Sequence, residues 1–219
     1  MNSRLAYLLG AYLGDGCLTT KGHYSNLVFK ILSIDEDLLK RIKSILLIDF
    51  DSCITIQSVK RYFAITSEKQ DLVDFLDYWS GRNKNWPNGV STWSIESKKE
   101  FFAGLLDTDG YSVYQENKLI QGAYYDQCRI GFCSTSDWIE EVKRLGQSLG
   151  IRIGKIWISN DGKKNGHKGD KIVRAFNVNV KDFIQNKCYF RVGRKQKKIV
   201  RYAQKYSLLY PHRPYAEHN

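Results

Sequence analysis

Residues 5–16 read LAYLLGAYLGDG, and residues 101–110 read FFAGLLDTDG. With Asp15 laid over Asp109, an offset of 94 residues, each stretch is an apolar helical run with a glycine five residues before a final acid and a glycine after it. A glycine inside a helix costs about 1 kcal/mol relative to alanine. A carboxylate at a helix C-terminus faces the negative end of the macrodipole. The same two local rules are therefore broken twice, in the same way. Gly10 and Gly14 fall at i and i+4, as do Gly104 and Thr108, so each helix carries a smooth strip along one side. If the strips pack together, the backbones approach closely and the C-terminal ends meet, which sets Asp15 and Asp109 side by side. Two carboxylates that close repel unless a cation sits between them. Oxygen ligands with room for water and phosphate suit Mg²⁺.

The segments after the two motifs repeat as well. After the first come β-rich residues 17–33 around a Lys-Gly turn, a helix over 35–47, a second hairpin over 53–67 and a helix over 67–79. After the second come strands over 111–114 and 126–133, then a helix from a Ser/Thr cap to Gly150. A hairpin of residues 151–159 and 172–180 and a short helix over 181–187 close the chain's pattern. Each half reads helix, hairpin, helix, hairpin, helix, and the joint is the loop 81–94. The expected fold is α+β: two pseudo-twofold-related α-β-β-α-β-β-α halves, their antiparallel sheets forming a saddle and the motif helices packed at the centre. The halves are expected at 1–84 and 98–219, the second with a basic C-terminal extension, joined by a linker at 85–97.

Composition limits the partners. The chain has 219 residues, 42% of them hydrophobic, and a net charge of +11. That favours a polyanion, nucleic acid before membrane surface. The longest apolar run, 5–13, is far short of the roughly 20 residues a bilayer span requires. Cys17, Cys53, Cys128, Cys133 and Cys188 are an odd number without a C-x-x-C pair, which argues against a disulfide framework or a zinc site and for an intracellular location: cytoplasm or nucleoid, or an organelle if the gene is organellar. His23, His167, His212 and His218 show no ligand spacing.

With two such motifs, the sequence resembles the LAGLIDADG homing endonucleases in the form that carries both motifs on one chain. The second copy, FAGLLDTDG, is close to the family pattern. The first departs from it, because Leu13 stands where the pattern has its earlier acid. The resemblance implies that the last acid of each motif binds metal, with Asp15, Asp109, Gly14 and Thr108 forming the metal site. It implies Mg²⁺ as cofactor, with Mn²⁺ substituting and Ca²⁺ binding without efficient cleavage. It also implies a monomer that cuts double-stranded DNA across the minor groove and leaves short 3′ overhangs. A basic residue near the scissile phosphate is expected; Lys84, at the end of the first half, and Lys195 or Lys197, at the end of the second, are the matched candidates, either for catalysis or for gripping the DNA backbone.

DNA would lie on the sheet faces left free of helices. By alternation, Leu27, Phe29 and Ile31 face the core, so Asn26, Val28 and Lys30 face out. Thr55 and Gln57 in the next hairpin, and Gln127, Arg129, Asn177 and Asn179 in the other half, share the same parity. A two-stranded ribbon fits the major groove, where such side chains read base edges; ordinary solvent-side positions are the alternative. Two other functions share this fold: an intron maturase, with intron RNA as partner, and a regulator that binds DNA without cutting it. Retained acids favour the nuclease. His218-Asn219 imitates the end of a protein-splicing element, but no strand-rich run precedes it.

Overall fold

The structure is a computed structural model and describes residues 1–20, 27–120, 123–160 and 171–208. The first half runs α1 (Ser3–Gly14), β1 (Gly16–Thr20), β2 (Leu27–Ser33), α2 (Glu36–Phe50), β3 (Gln57–Val59), β4 (Tyr62–Ser67) and α3 (Gln70–Ser80). A 3-10 turn at Val90–Thr92 leads to the second half: α4 (Ile95–Asp109), β5 (Gly110–Ile120), β6 (Ala123–Ser134), α5 (Ile139–Ser148), β7 (Trp157–Asn160), β8 (Val173–Val178), α6 (Val180–Gln185) and α7 (Gly193–Lys205). Each half has one antiparallel four-stranded sheet, in the orders β1-β2-β4-β3 and β5-β6-β8-β7. The repeat predicted from the motifs is thus present, with one helix added.

Side-chain caps start both motif helices. Asn2 Oδ1 accepts from Leu5 N at 2.8 Å, and Ser94 Oγ accepts from Ser97 N at 3.2 Å. Residues 6–13 of α1 are all buried, as expected of a helix that is apolar all round. One side faces α4, and there the glycines explain themselves. A Cβ on Gly10 would stand 2.3 Å from Phe101 O, one on Gly104 2.3 Å from Tyr7 O, and one on Gly14 2.0 Å from Thr108 Oγ1. At Gly10 and Gly104 the lost propensity is the cost of a backbone-to-backbone contact that a methyl group would prevent, and at Gly14 of a close contact with the Thr108 side chain.

Several expected boundaries move. Residues 53–56 are not strand, so Thr55 lies ahead of β3, exposed. The strand expected over 151–159 shrinks to Trp157–Asn160 plus an isolated bridge from Ile153 to Val178. The helix expected from residue 67 begins at Gln70, because Ser67 still belongs to β4. The added helix is α7, hidden in the sequence by its charge. Its buried residues are Lys195, Ile199 and Ala203, an i, i+4, i+8 stripe whose first member is a lysine. Among the described residues no helix is long and apolar enough to cross a membrane. All four histidines lie outside the described residues.

Candidate functional site

α1 and α4 end together, each on its acid. Asp15 is the C-cap of α1 and Asp109 the last residue of α4. Burial raises the Asp109 carboxyl to about 7, with the nearby Asp15 carboxylate adding to the shift and Lys84, Lys195 and the Ser134 hydroxyl opposing it. Burial also raises Asp15, against the pull of Lys195 and Lys84. For both acids burial is the main cause, and the two lysines offset it only in part. A cleft of about 370 Å³ opens beside Asp109, lined in part by Gly14, Lys84, Ser134 and Thr135. Among the described residues no third His, Cys, Asp or Glu completes a protein-only cage. Two carboxylates beside an open cleft are a donor set of the kind a hard divalent ion uses, binding through one or two carboxylates and keeping sites for water and phosphate oxygens.

The two lysines behave alike although they come from unrelated elements. Lys84 sits in the turn after α3 at φ 56. Its Nζ donates to Gly14 O at 2.6 Å, while its own carbonyl accepts from Trp138 Nε1 at 2.9 Å. Tyr12 Oη donates to Gly81 O at 2.7 Å, fastening the same turn under α1. Lys195 rises from the first turn of α7 and donates to the carbonyls of Asp107 (2.6 Å), Gly110 (2.7 Å) and Leu106 (3.0 Å), and more distantly to Thr108 (3.4 Å). Each ammonium thus satisfies carbonyls that a helix end leaves open. Burial lowers both pKa values; Asp109 and Asp15 oppose that for Lys84, and Asp107, Asp35 and Asp15 for Lys195. Lys197 is different: it is exposed on α7, and a residue two positions from Lys195 does not share its helix face.

Sequence reasoning passes over the anchoring shell. Asp107, only 2% exposed, accepts from Tyr7 Oη at 2.8 Å, Arg191 N at 3.0 Å and Val192 N at 3.2 Å, and burial lifts it to about 6. Gly193 N donates to Asp37 Oδ2 at 2.6 Å, and Arg194 forms a two-pronged pair with Asp35. Glu100 pairs with Arg41 and Arg191. α7 is therefore bolted to the first half and carries Lys195 to the end of α4. Asp107 is visible in the sequence as the extra acid of the second motif; its partners are not.

The expected reading face is only partly as alternation predicts. Lys30 is half-buried and Gln57 exposed on the outward faces of β2 and β3, and Arg129 and Asn177 are exposed on those of β6 and β8. Gln127 is half-buried on the same face as Arg129. Three assignments fail, Thr55 among them because it lies ahead of β3. Val28 has the outward parity but is 5% exposed, so it packs instead of reading. Asn179 lies beyond β8, where its Oδ1 accepts from Asp182 N at 3.0 Å and caps α6. Asn26 is outside the described residues.

The sequence matches no protein-family model, and no curated protein matches it. Solved structures do match. Mesophilic variants of the homing endonuclease I-DmoI superpose with a TM-score of 0.58 at 20% identity, covering 84% of this chain and 92% of that one. The LAGLIDADG homing endonuclease I-GzeII, in complex with its DNA target, superposes at 0.59 with 12% identity over 93% of this chain and 90% of its own. The LAGLIDADG meganuclease I-AabMI, bound to uncleaved DNA, superposes at 0.55 with 15% identity over 95% and 93%. Structures of I-DmoI with DNA and Mn, and with DNA and Ca, match as well. Two motif helices packed on glycine, an antiparallel sheet on each side and superposition over most of the chain on these enzymes agree: the chain has the single-chain, two-motif LAGLIDADG homing-endonuclease fold.

Proposed function

We propose that this chain is a site-specific endonuclease that hydrolyses both strands of a DNA duplex with a divalent metal, Mg²⁺ or Mn²⁺, held by Asp15 and Asp109. The observation that carries the reading is the pairing of two acids, Asp15 exposed and Asp109 half-buried, at the ends of glycine-packed helices, with one lysine from each half beside them. A divalent ion bound there would lower the pKa of water and stabilise the leaving 3′ oxygen. Asp15 and Asp109 would hold it, one carboxylate from each half. The carbonyls of Gly14 and Thr108 face Lys84 and Lys195, so the lysines fix the backbone on which both acids stand. Their positive charge also favours a phosphate entering between the acids. Lys30, Gln57, Gln127, Arg129 and Asn177, on the outward sheet faces, would contact the duplex. Cleavage across the minor groove with short 3′ overhangs is expected from the likeness to the family.

The test is to incubate the protein with random duplexes and Mg²⁺ and sequence the cut ends. One recurrent site, cut on both strands with a constant 3′ stagger and silent in EDTA, is the expected result. Cutting that survives EDTA, or retention of structured RNA with no action on any duplex, would overturn the reading.

A further inference from the structure

β5 and β6 run past the core as a two-stranded ribbon, and its outward face is rich in hydrogen-bond donors. Ile130 is fully buried in the core, so Arg129, Gln127 and Tyr125 project to the other face of β6, across from Val113 and Gln115 in register. A bulge between Gln115 and Lys118, with Asn117 at φ 51, brings Lys118 to that face. There Lys118 Nζ donates to Gln127 Oε1 at 2.7 Å. The ribbon's acids are turned away. Asp126 accepts from Asn117 N and Tyr206 Oη, both at 3.0 Å, and pairs with Lys205 at 2.5 Å. Glu116 stands close enough to Tyr114 and Lys205 to raise the pKa of each.

A glutamine reads adenine by using both ends of its amide, the oxygen accepting from N6 and the nitrogen donating to N7. In this ribbon Lys118 takes one lone pair of Gln127 Oε1 and places a cation against it, so an adenine amino group approaching that end would have to share it with an ammonium. What remains is the Gln127 amide N–H₂, the remaining N–H groups of Lys118, and the Arg129 guanidinium, which has no hydrogen bond or ion pair among the described residues. All are donors. In the major groove guanine offers two acceptors, O6 and N7, whereas adenine and cytosine each present an amino donor. Among the described residues the first half lacks such an array: Cys17, Thr19, Lys30 and Thr66 share its outward face in register, with Gln57 on β3, and hydroxyls and an amide serve either edge.

We infer that Lys118, Gln127 and Arg129 select guanines at two positions of the half-site held by the second half, an inference that rests on the proposed action on DNA. Gln127 and Arg129 are two residues apart on one strand, about 7 Å, so the two guanines fall about two base steps apart at 3.4 Å per step.

The experiment is selection of bound duplexes from a random library in Ca²⁺, with the wild-type chain, Lys118→Met and Arg129→Gln. The wild type is expected to retain guanine at both positions. Lys118→Met frees Gln127 Oε1 and should turn the preference at that position toward adenine, changing the guanine-to-adenine ratio roughly tenfold while the Arg129 position stays guanine. Arg129→Gln should lose guanine at its own position only, by a similar factor. Adenine at the Gln127 position in the wild type, or a Lys118→Met profile identical to wild type, overturns the inference. A specific site with no guanine at these positions overturns it too and leaves the endonuclease reading standing. Selection of no duplex by any of the three chains overturns both.

Discussion

The two halves solve one problem, holding an acid at a helix end, with unequal means. In the first, α1 ends simply: Leu13 is buried without polar needs, and Lys84 bonds the single carbonyl of Gly14. In the second, Asp107 takes the place of Leu13 and is buried with three donors, while Lys195 gathers the carbonyls of α4's last turn. Register makes the contrast finer. Gly16 pairs with Ile31 and Gly110 with Phe132, so Ser33 corresponds to Ser134 and Asp35 to Ser136. Both serines accept a backbone N–H two residues on. Asp35, by contrast, reaches across to Arg194 of the other half. A pseudo-symmetric pair thus keeps its acids matched while its supports diverge: the proposed chemistry needs two like carboxylates, whereas packing demands only that each helix end be satisfied.

The largest effect should test the part that is matched. Asp15→Asn and Asp109→Asn should each lower cleavage of both strands by about a thousandfold or more if, as proposed, each removes a carboxylate from one metal site that the two halves share, with binding to the selected duplex kept. Nicking assays on supercoiled plasmid read this. A variant that nicks one strand at the wild-type rate would show that each half serves its own strand.

Next come the lysines, where the halves differ. Lys195→Met strands several buried carbonyls and should destabilise the fold by about 2 to 3 kcal/mol, whereas Lys84→Met strands one and should cost about 1 kcal/mol. Urea melts of the two variants decide it, and equal losses would remove the asymmetry between the two supports. The glycines should then restore symmetry. Gly10→Leu and Gly104→Leu gain roughly 0.8 kcal/mol of propensity but lose about 1 to 3 kcal/mol to overpacking, because each new Cβ meets a carbonyl of the opposite helix at 2.3 Å. Both should melt below wild type and cut more slowly still. Two variants that melt higher and cut normally would show that the glycines do not hold the helices together.

The smallest effect concerns Asp107, which has no counterpart in the first half. Its folded pKa of about 6 lies above the ordinary 3.8, so the native state binds the extra proton. The penalty for the charged form is in full force above about pH 6 and fades as pH falls toward 4. Between pH 7 and 5 the native state should gain about 1 kcal/mol from this group. Asp107→Asn should flatten the stability profile over that interval by that amount, while Leu13→Asn in the first half should not.

Much of the fold is legible in the chain. Glycine five residues before an acid, twice, with matching hairpins after it, announces the helix contact, the paired carboxylates and the repeated half. These are features of local periodicity and spacing, and they survive in sequence because each backbone approach admits only a hydrogen at that point. Alternation places Arg129, Gln57 and Asn177 outward, since a strand's parity is local too. It fails at Val28 and Asn179: whether an outward residue is covered, or whether a strand has already ended, depends on neighbours distant in the chain.

Tertiary structure alone decided what surrounds the acids. Lys84 and Lys195 reach their carbonyls from 70 and 85 or more residues away. α7 is concealed because the first member of its buried stripe is a lysine, a residue that belongs in a core only where carbonyls from another element receive it. The Asp35–Arg194 pair spans 159 residues. Sequence by itself determined where backbones must touch, because only glycine permits that contact; which charges meet was left to the fold, because charged side chains are long, interchangeable in pattern and tied to position only by the partners that packing brings to them.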